Sequence, residues 1–114
     1  MSHEQFENVI DSLNQCSLDC VHCANACLDE QNAKDLARCI RLDLECADTC
    51  TFNAKMLAAN SEFSSDFLNI CAKVCDACGD ECEKHASHME HCSICAESCR
   101  KCAEECRSIV RVNV

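Results

Sequence analysis

The fold is decided by one stretch of sequence, Cys71-Ala72-Lys73-Val74-Cys75-Asp76-Ala77-Cys78-Gly79-Asp80-Glu81-Cys82, in which the cysteines follow one another at steps of four, three and four residues. Steps of three and four bring side chains to one face of an α-helix. The stretch therefore predicts a helix whose inward stripe consists of thiols, where most proteins place leucine.

The same spacing continues through the rest of the chain. Cysteine accounts for 16 of the 114 residues. Outside the first stretch, the cysteines are Cys16, Cys20, Cys23, Cys27, Cys39, Cys46, Cys50, Cys92, Cys95, Cys99, Cys102 and Cys106. Asp43 stands where one more cysteine would fall between Cys39 and Cys46. The pattern predicts several helices, each with a thiol face.

The composition favours an all-helical protein. The chain has no proline, and Gly79 is its only glycine, so it lacks the turn residues that β-proteins need. The 48 % apolar fraction includes all sixteen cysteines. Reduced cysteine packs as a small hydrophobic residue, so we expect the interior to hold together before any ion binds.

The periodic segments predict helices near residues 3–29, 33–59, 65–85 and 88–110. Candidate N-terminal caps are Ser2 with Gln5, Asn32 with Asp35, Ser64 or Ser65 before Asp66, and Ser87 with Glu90. Short links make consecutive helices antiparallel, which predicts an all-α, up-down-up-down four-helix bundle. We expect residues 1–114 to form one domain.

Antiparallel order also predicts two unlike ends. At the end that holds both termini, the stripe becomes apolar and forms an expected plug of Phe6, Val9, Ile10, Leu13, Met56, Leu57, Phe63, Phe67, Leu68, Ile109 and Val110. The opposite end carries soft or borderline metal donors, which are His85, His88, His91 and Met89. These four residues are candidate ligands at the opening of a thiol-lined tube. The three histidines could equally be exposed turn residues, and Met89 could simply cover the core. His22 lies off the stripe and is expected at the surface.

The charge excludes several partners. The formal net charge is −10 and no run of lysine or arginine occurs, so we expect no nucleic-acid partner. No segment approaches the roughly 18 apolar residues of a membrane span, and residues 1–7 lack the features of a secretory signal. We therefore expect a cytoplasmic protein with no membrane partner, whose cysteines are free thiols or metal ligands.

The thiol pattern favours a monovalent soft metal. Thiolates select Cu(I), and two sulfurs one helical turn apart suit an ion with two ligands. Sixteen buried thiolates require about as many positive charges to offset their desolvation. Four Zn²⁺ ions in Cys₄ sites would supply half of that charge. Cu(I) with bridging thiolates gives about one ion per cysteine and a neutral interior, which favours storage over catalysis.

Three segments also resemble the bacterial cytosolic copper storage proteins. They are 39–50, 75–82 and 99–108, and the resemblance includes the residues between the cysteines. It implies a four-helix bundle that stores many Cu(I) ions on thiolates, takes them in through a histidine-bearing end, and often assembles as a homotetramer. An unidentified copper donor or acceptor is then expected as a partner.

Several alternatives remain open from sequence. Zinc or cadmium buffering in the manner of metallothionein uses the same thiols. A disulfide-stapled helical hairpin would need only two paired motifs, and iron–sulfur motifs are carried on loops with glycine and proline. Asp43 is either an auxiliary oxygen ligand or the partner of a cation such as Arg41. No set of residues typical of an enzyme is present.

Overall fold

The computed structural model describes residues 3–113, which form four α-helices and no β-strand within that range. The helices are α1 (His3–Leu28), α2 (Ala37–Ala58), α3 (Ser64–Glu83) and α4 (Glu90–Asn113), and a 3₁₀ turn (Ala33–Leu36) precedes α2. The predicted all-α fold class is confirmed. None of the helices in this range is long and apolar enough to cross a membrane.

The helices pack as a bundle around the thiol faces. Helix α1 packs against α2 and α4, and α3 packs against the same two helices, so α1 and α3 lie diagonally opposite each other. The bundle measures 47 × 20 × 19 Å along its principal axes. The thiol of Cys39 faces Cys82 and that of Cys50 faces Cys71, so α2 and α3 run antiparallel, as predicted.

The helix ends differ from the predicted ones near the histidine-rich link. Helix α3 ends at Glu83 and α4 begins at Glu90, so the link is longer than expected and consists mostly of turns. The predicted capping box of Ser87 and Glu90 is wrong, because α4 starts too late for Ser87 to cap it. The Ser87 hydroxyl lies 3.4 Å from the His88 ring instead. Asn32 makes no capping hydrogen bond with its side chain. The predicted cap at Ser64 or Ser65 is also wrong, because α3 begins at Ser64 and Phe63 takes the cap position. Ser2 lies outside the described residues.

The link between α2 and α3 reverses the chain direction without a glycine. Asn60 takes a left-handed backbone conformation with φ of 55°. The amide of Ser61 then donates to the carbonyl of Met56 at 3.0 Å, and the amide of Asn60 donates to that of Leu57 at 3.0 Å. These two bonds satisfy the last carbonyls of α2 and turn the chain towards α3.

The only glycine serves the contact between α3 and α4. Gly79 lies inside α3, and a Cβ atom there would come within 3.2 Å of the Arg100 guanidinium. That guanidinium pairs with Asp80 at 2.6 Å and with Glu83 at 3.0 Å. The missing side chain thus lets Arg100 of α4 lie across α3.

The apolar end is largely as predicted. Val9, Leu13, Leu57, Leu68 and Ile109 are buried there. Phe6, Ile10 and Val110 are half-buried and pack against this core, whereas Met56, Phe63 and Phe67 lie further out. Phe63 is 55 % exposed, and Phe67 is half-buried against Phe52 with ring centroids 4.9 Å apart. The core therefore changes from aliphatic side chains to thiols within one turn of Leu13, because Cys16 follows on the same face of α1.

Candidate metal centre

All sixteen cysteine side chains are buried and none forms a disulfide. Their exposed fractions are 0 %, except for Cys102 at 1 %. The helices α1 to α4 each point their thiol stripe inward, because the steps of three and four keep it on one face. The predicted thiol-filled interior is therefore present.

The sulfurs are at least as close across the helices as along them. Along a helix, the sulfurs of Cys46 and Cys50 lie 3.9 Å apart. Across helices, the sulfur of Cys46 lies 3.6 Å from that of Cys75, and the sulfurs of Cys20 and Cys95 are also 3.6 Å apart. A metal ion between two of these sulfurs would join neighbouring helices and not only consecutive turns.

The thiols also form groups of four whose sulfurs all lie within 4.8 Å of one another. Each of the following groups draws on three helices: Cys16, Cys46, Cys50, Cys75; Cys16, Cys20, Cys46, Cys99; Cys20, Cys78, Cys95, Cys99; Cys23, Cys27, Cys39, Cys92; and Cys50, Cys71, Cys75, Cys102. Several sulfurs belong to two groups, and Cys16 is one example. Separate tetrahedral sites would need separate sets of ligands, whereas shared sulfurs suit ions that are bridged by thiolates.

Asp43 lies inside the thiol array and is fully buried. Its Oδ1 accepts hydrogen bonds from the thiols of Cys78 at 3.1 Å and Cys95 at 3.3 Å. Burial raises the pKa of Asp43 to about 10. Asp43 thus faces thiols, while Arg41, its alternative partner, is exposed.

The thiol of Cys27 holds its proton in the metal-free protein. Burial raises the pKa of Cys27 to about 11. Cys27 lies near the open end of the array, where the solvent is nearest, and even there the thiol form is favoured at neutral pH. Binding of a metal to the thiolate of Cys27 must therefore displace a proton.

His91 closes the array at the end opposite the apolar plug. Its Nδ1 lies 3.5 Å from the sulfurs of both Cys23 and Cys92 and 3.9 Å from that of Cys27. The side chain is 13 % exposed, so the ring contacts both solvent and thiols. Of the three candidate histidines, His91 is the one in hydrogen-bond contact with thiols in the described range.

The other candidates at this end are arranged differently. His85 is half-buried, and its Nε2 lies 3.3 Å from Oε2 of Glu81. His88 is exposed on the link, and Met89 packs against the thiol core. His22 is exposed on α1, as expected from its position off the stripe.

Comparison with known proteins assigns this thiol-filled bundle to a family. The sequence profile of the copper storage protein family matches residues 2–111. The chain belongs to the copper storage protein family. The cysteine-rich protein YhjQ of Bacillus subtilis is 44 % identical over 90 residues, which are 78 % of this chain and 82 % of that protein.

Solved structures of copper storage proteins are similar throughout. The cytosolic copper storage protein of Streptomyces lividans, loaded with five coppers, is 42 % identical with a TM-score of 0.90, covering 95 % of this chain and 93 % of that one. The Cu(I)-bound copper storage protein BsCsp3 is also 42 % identical with a TM-score of 0.88, covering 93 % and 98 %. The four-helix-bundle architecture is thus shared with copper-loaded proteins of the family.

Three polar residues of this copper storage protein were not found by sequence reasoning. Glu30 contacts His91, and Glu81 contacts His85, Lys84 and Arg38. Although burial opposes its ionisation, hydrogen bonds from Lys84 and His85 hold the pKa of Glu81 below its usual value. Asn53 is 2 % exposed, and its Oδ1 has no hydrogen-bond partner among residues 3–113. Asn53 follows Cys50 by three residues, which places it on the thiol face of α2. This spacing was the signal in the sequence that could have identified it.

Proposed function

We propose that this chain stores Cu(I) in the cytosol, bound to the thiolates of its sixteen cysteines at about one ion per cysteine. The overlapping thiol groups carry this proposal, because a sulfur shared between two groups can bridge two ions. The related Streptomyces lividans protein is a cytosolic copper storage protein, which supports the same compartment. Storage would protect other proteins from copper and keep a reserve of it.

Asp43 is proposed as an auxiliary ligand within the array. Its carboxylate already accepts hydrogen bonds from thiols of two helices, and an ion bound to those sulfurs would lie next to its oxygens. The protonated carboxyl group would then lose its proton, and its oxygens would contact the cation. Asp43 thus fills the place of a missing cysteine on α2.

Zinc or cadmium buffering is the weaker alternative. A divalent ion in a closed Cys₄ site uses four sulfurs that belong to no other site. The shared sulfurs reduce the number of such sites, and the thiolates left over would be buried without a compensating charge. Monovalent copper avoids both difficulties.

We also propose that His85, His88, His91 and Met89 form the entrance for copper. The contact of His91 with three thiols supports a path from solvent to the array at this end. The buried thiols support storage and not catalysis, since a filled array keeps no open coordination position. An unidentified donor or acceptor would exchange copper here.

We further propose that residues 1–114 act as one storage domain and that the chain assembles as a homotetramer. Exposed apolar side chains occur on all four helices and support self-association: Leu18, Leu44, Ile70 and Ile94. The tetramer can be tested by light scattering of the metal-free protein.

Titration of the reduced, metal-free protein with Cu(I) is expected to saturate near one ion per cysteine. A competing Cu(I) chelator, under anaerobic conditions, measures both the number of ions and their retention. A parallel titration with Zn²⁺ serves as the comparison. Saturation at about four ions, with Zn²⁺ held as firmly as copper, would contradict storage of Cu(I) and favour zinc buffering.

Replacing His85, His88 and His91 together with alanine is expected to slow copper transfer by about tenfold or more and to leave the capacity nearly unchanged. The thiols that hold the ions remain, whereas the nitrogen donors at the open end are lost. Stopped-flow transfer from a Cu(I)–chelator complex measures the rate. His22→Ala removes an exposed histidine elsewhere and is the matched control. Equal rates in the triple variant and the wild type would move the entrance to another part of the bundle.

A further inference from the structure

His91 is held at both ring nitrogens, by thiols on one side and by a carboxylate on the other. Its Nδ1 lies 3.5 Å from the sulfurs of Cys23 and Cys92, and its Nε2 lies 3.4 Å from Oε1 of Glu30. A neutral imidazole has one N–H group and one lone pair, and an ionised carboxylate only accepts hydrogen bonds. Contact with Glu30 therefore requires the proton on Nε2. The lone pair of Nδ1 then faces the thiols.

The position of Glu30 is built into the turn that follows α1. Its amide donates to the carbonyl of Cys27 at 3.2 Å, and its carbonyl accepts from the amide of Ala33 at 3.2 Å. The same turn therefore carries Cys27, which contacts His91, and the carboxylate on the other side of the ring. These bonds hold the backbone of Glu30 beside that of Cys27, so one turn supplies contacts to both sides of the ring.

We propose that Glu30 is a positioning residue for copper uptake, which fixes His91 so that the lone pair of Nδ1 faces Cys23 and Cys92. The inference rests on the proposed storage of Cu(I). An arriving ion then meets a nitrogen donor directly beside two thiols and can pass from the ring to sulfur. If the proton were on Nδ1, the nitrogen nearest the thiols would have no lone pair for the ion.

The contact of His85 with Glu81 is not equivalent. Oε1 of Glu81 also pairs with Arg38 at 3.2 Å and with Lys84 at 3.1 Å, so its charge is already shared with two cations. Within residues 3–113, no thiol is hydrogen-bonded to His85. The ring of His85 thus contacts a carboxylate on one side but no thiol on the other. The positioning role is therefore assigned to Glu30 and not to Glu81.

The test compares Glu30→Ala with Glu30→Gln, whose amide oxygen still accepts a hydrogen bond from Nε2. Asp29→Ala removes a charge from the same turn and is the control, since Asp29 is exposed and bonds to no histidine in the described range. Each variant is also made in the His91→Ala background. Nitrogen-15 NMR of the metal-free protein reports which nitrogen of His91 carries the proton. Stopped-flow transfer from a Cu(I)–chelator complex gives the rate.

We expect Nε2 to carry the proton in the wild type and in Glu30→Gln, and a mixture of the two forms in Glu30→Ala. The transfer rate should fall about tenfold in Glu30→Ala, recover in Glu30→Gln, and stay unchanged in Asp29→Ala. In the His91→Ala background, Glu30→Ala should have no further effect, because Glu30 acts through that ring.

Two results would overturn the inference and leave storage intact. One is a proton on Nδ1 in the wild type, and the other is an equal slowing by Glu30→Ala with and without His91. A wild-type protein that takes up no Cu(I) at all would instead overturn the storage proposal, and this inference with it.

Discussion

Replacing Asp43 with asparagine is expected to stabilise the metal-free protein at neutral pH by about 2–4 kcal/mol. The pKa of Asp43 rises from an ordinary value of 3.8 to about 10 in the folded protein, because the carboxyl group is buried away from water. The native state therefore keeps a proton that the unfolded chain releases above pH 4. The free energy of unfolding falls by up to about 1.4 kcal/mol per pH unit between these two values. Asparagine has no proton to lose and still accepts the thiol hydrogen bonds.

Urea unfolding of reduced apo protein, followed by circular dichroism between pH 5.5 and 8, measures this difference. Below about pH 8, unfolded cysteines remain protonated, so the difference between wild type and Asp43→Asn isolates the carboxyl group. Asp48→Asn removes an exposed carboxyl group of α2 and should leave the slope unchanged. If the free energies of unfolding of wild type and Asp43→Asn changed equally with pH, the pKa of Asp43 would not be raised by folding. The prediction would then be wrong.

The sequence was sufficient to predict the helices and their thiol faces, because a spacing of three and four residues encodes which side of a helix faces inward. It also predicted which residues lie at each end of the bundle, because antiparallel order places the link before α2 at the same end as the link before α4. The contact of His91 with Cys23 confirms that order. The helix ends near Ser87 were predicted less well, because turn bonds between His85 and Met89 replace the expected cap.

The sequence could not predict which sulfurs meet. Periodicity gives the face of each helix but not the shift of one helix along its neighbour, and that shift places Cys46 against Cys75. For the same reason, the sequence could not decide whether Asp43 is a metal ligand or the partner of Arg41. It also could not show which of the three histidines contacts the thiols. His91 contacts thiols whereas His88 is exposed, because only the former follows the start of α4. The Glu30 contact joins residues that are 61 positions apart and has no local signal.

Loading with Cu(I) at pH 7 is expected to release about one proton per cysteine and one further proton from Asp43. Thiolates and not thiols are the ligands, and in the metal-free protein burial raises the pKa of Cys27 to about 11. An ion that displaces one proton should therefore bind about tenfold more weakly for every pH unit below neutrality. An ion that displaces two protons should lose about a hundredfold per pH unit.

Proton release can be counted in weakly buffered, anaerobic solution with a pH indicator while Cu(I) is added to saturation. Asp43→Asn is the matched variant and should release one proton fewer, because its cysteines are unchanged. Equal release by the two proteins would mean that Asp43 keeps its proton in the loaded state, and its role as a ligand would then be wrong. A loading that releases no protons and does not depend on pH would exclude thiolate ligation altogether, since buried thiols cannot bind Cu(I) as thiolates without losing their protons.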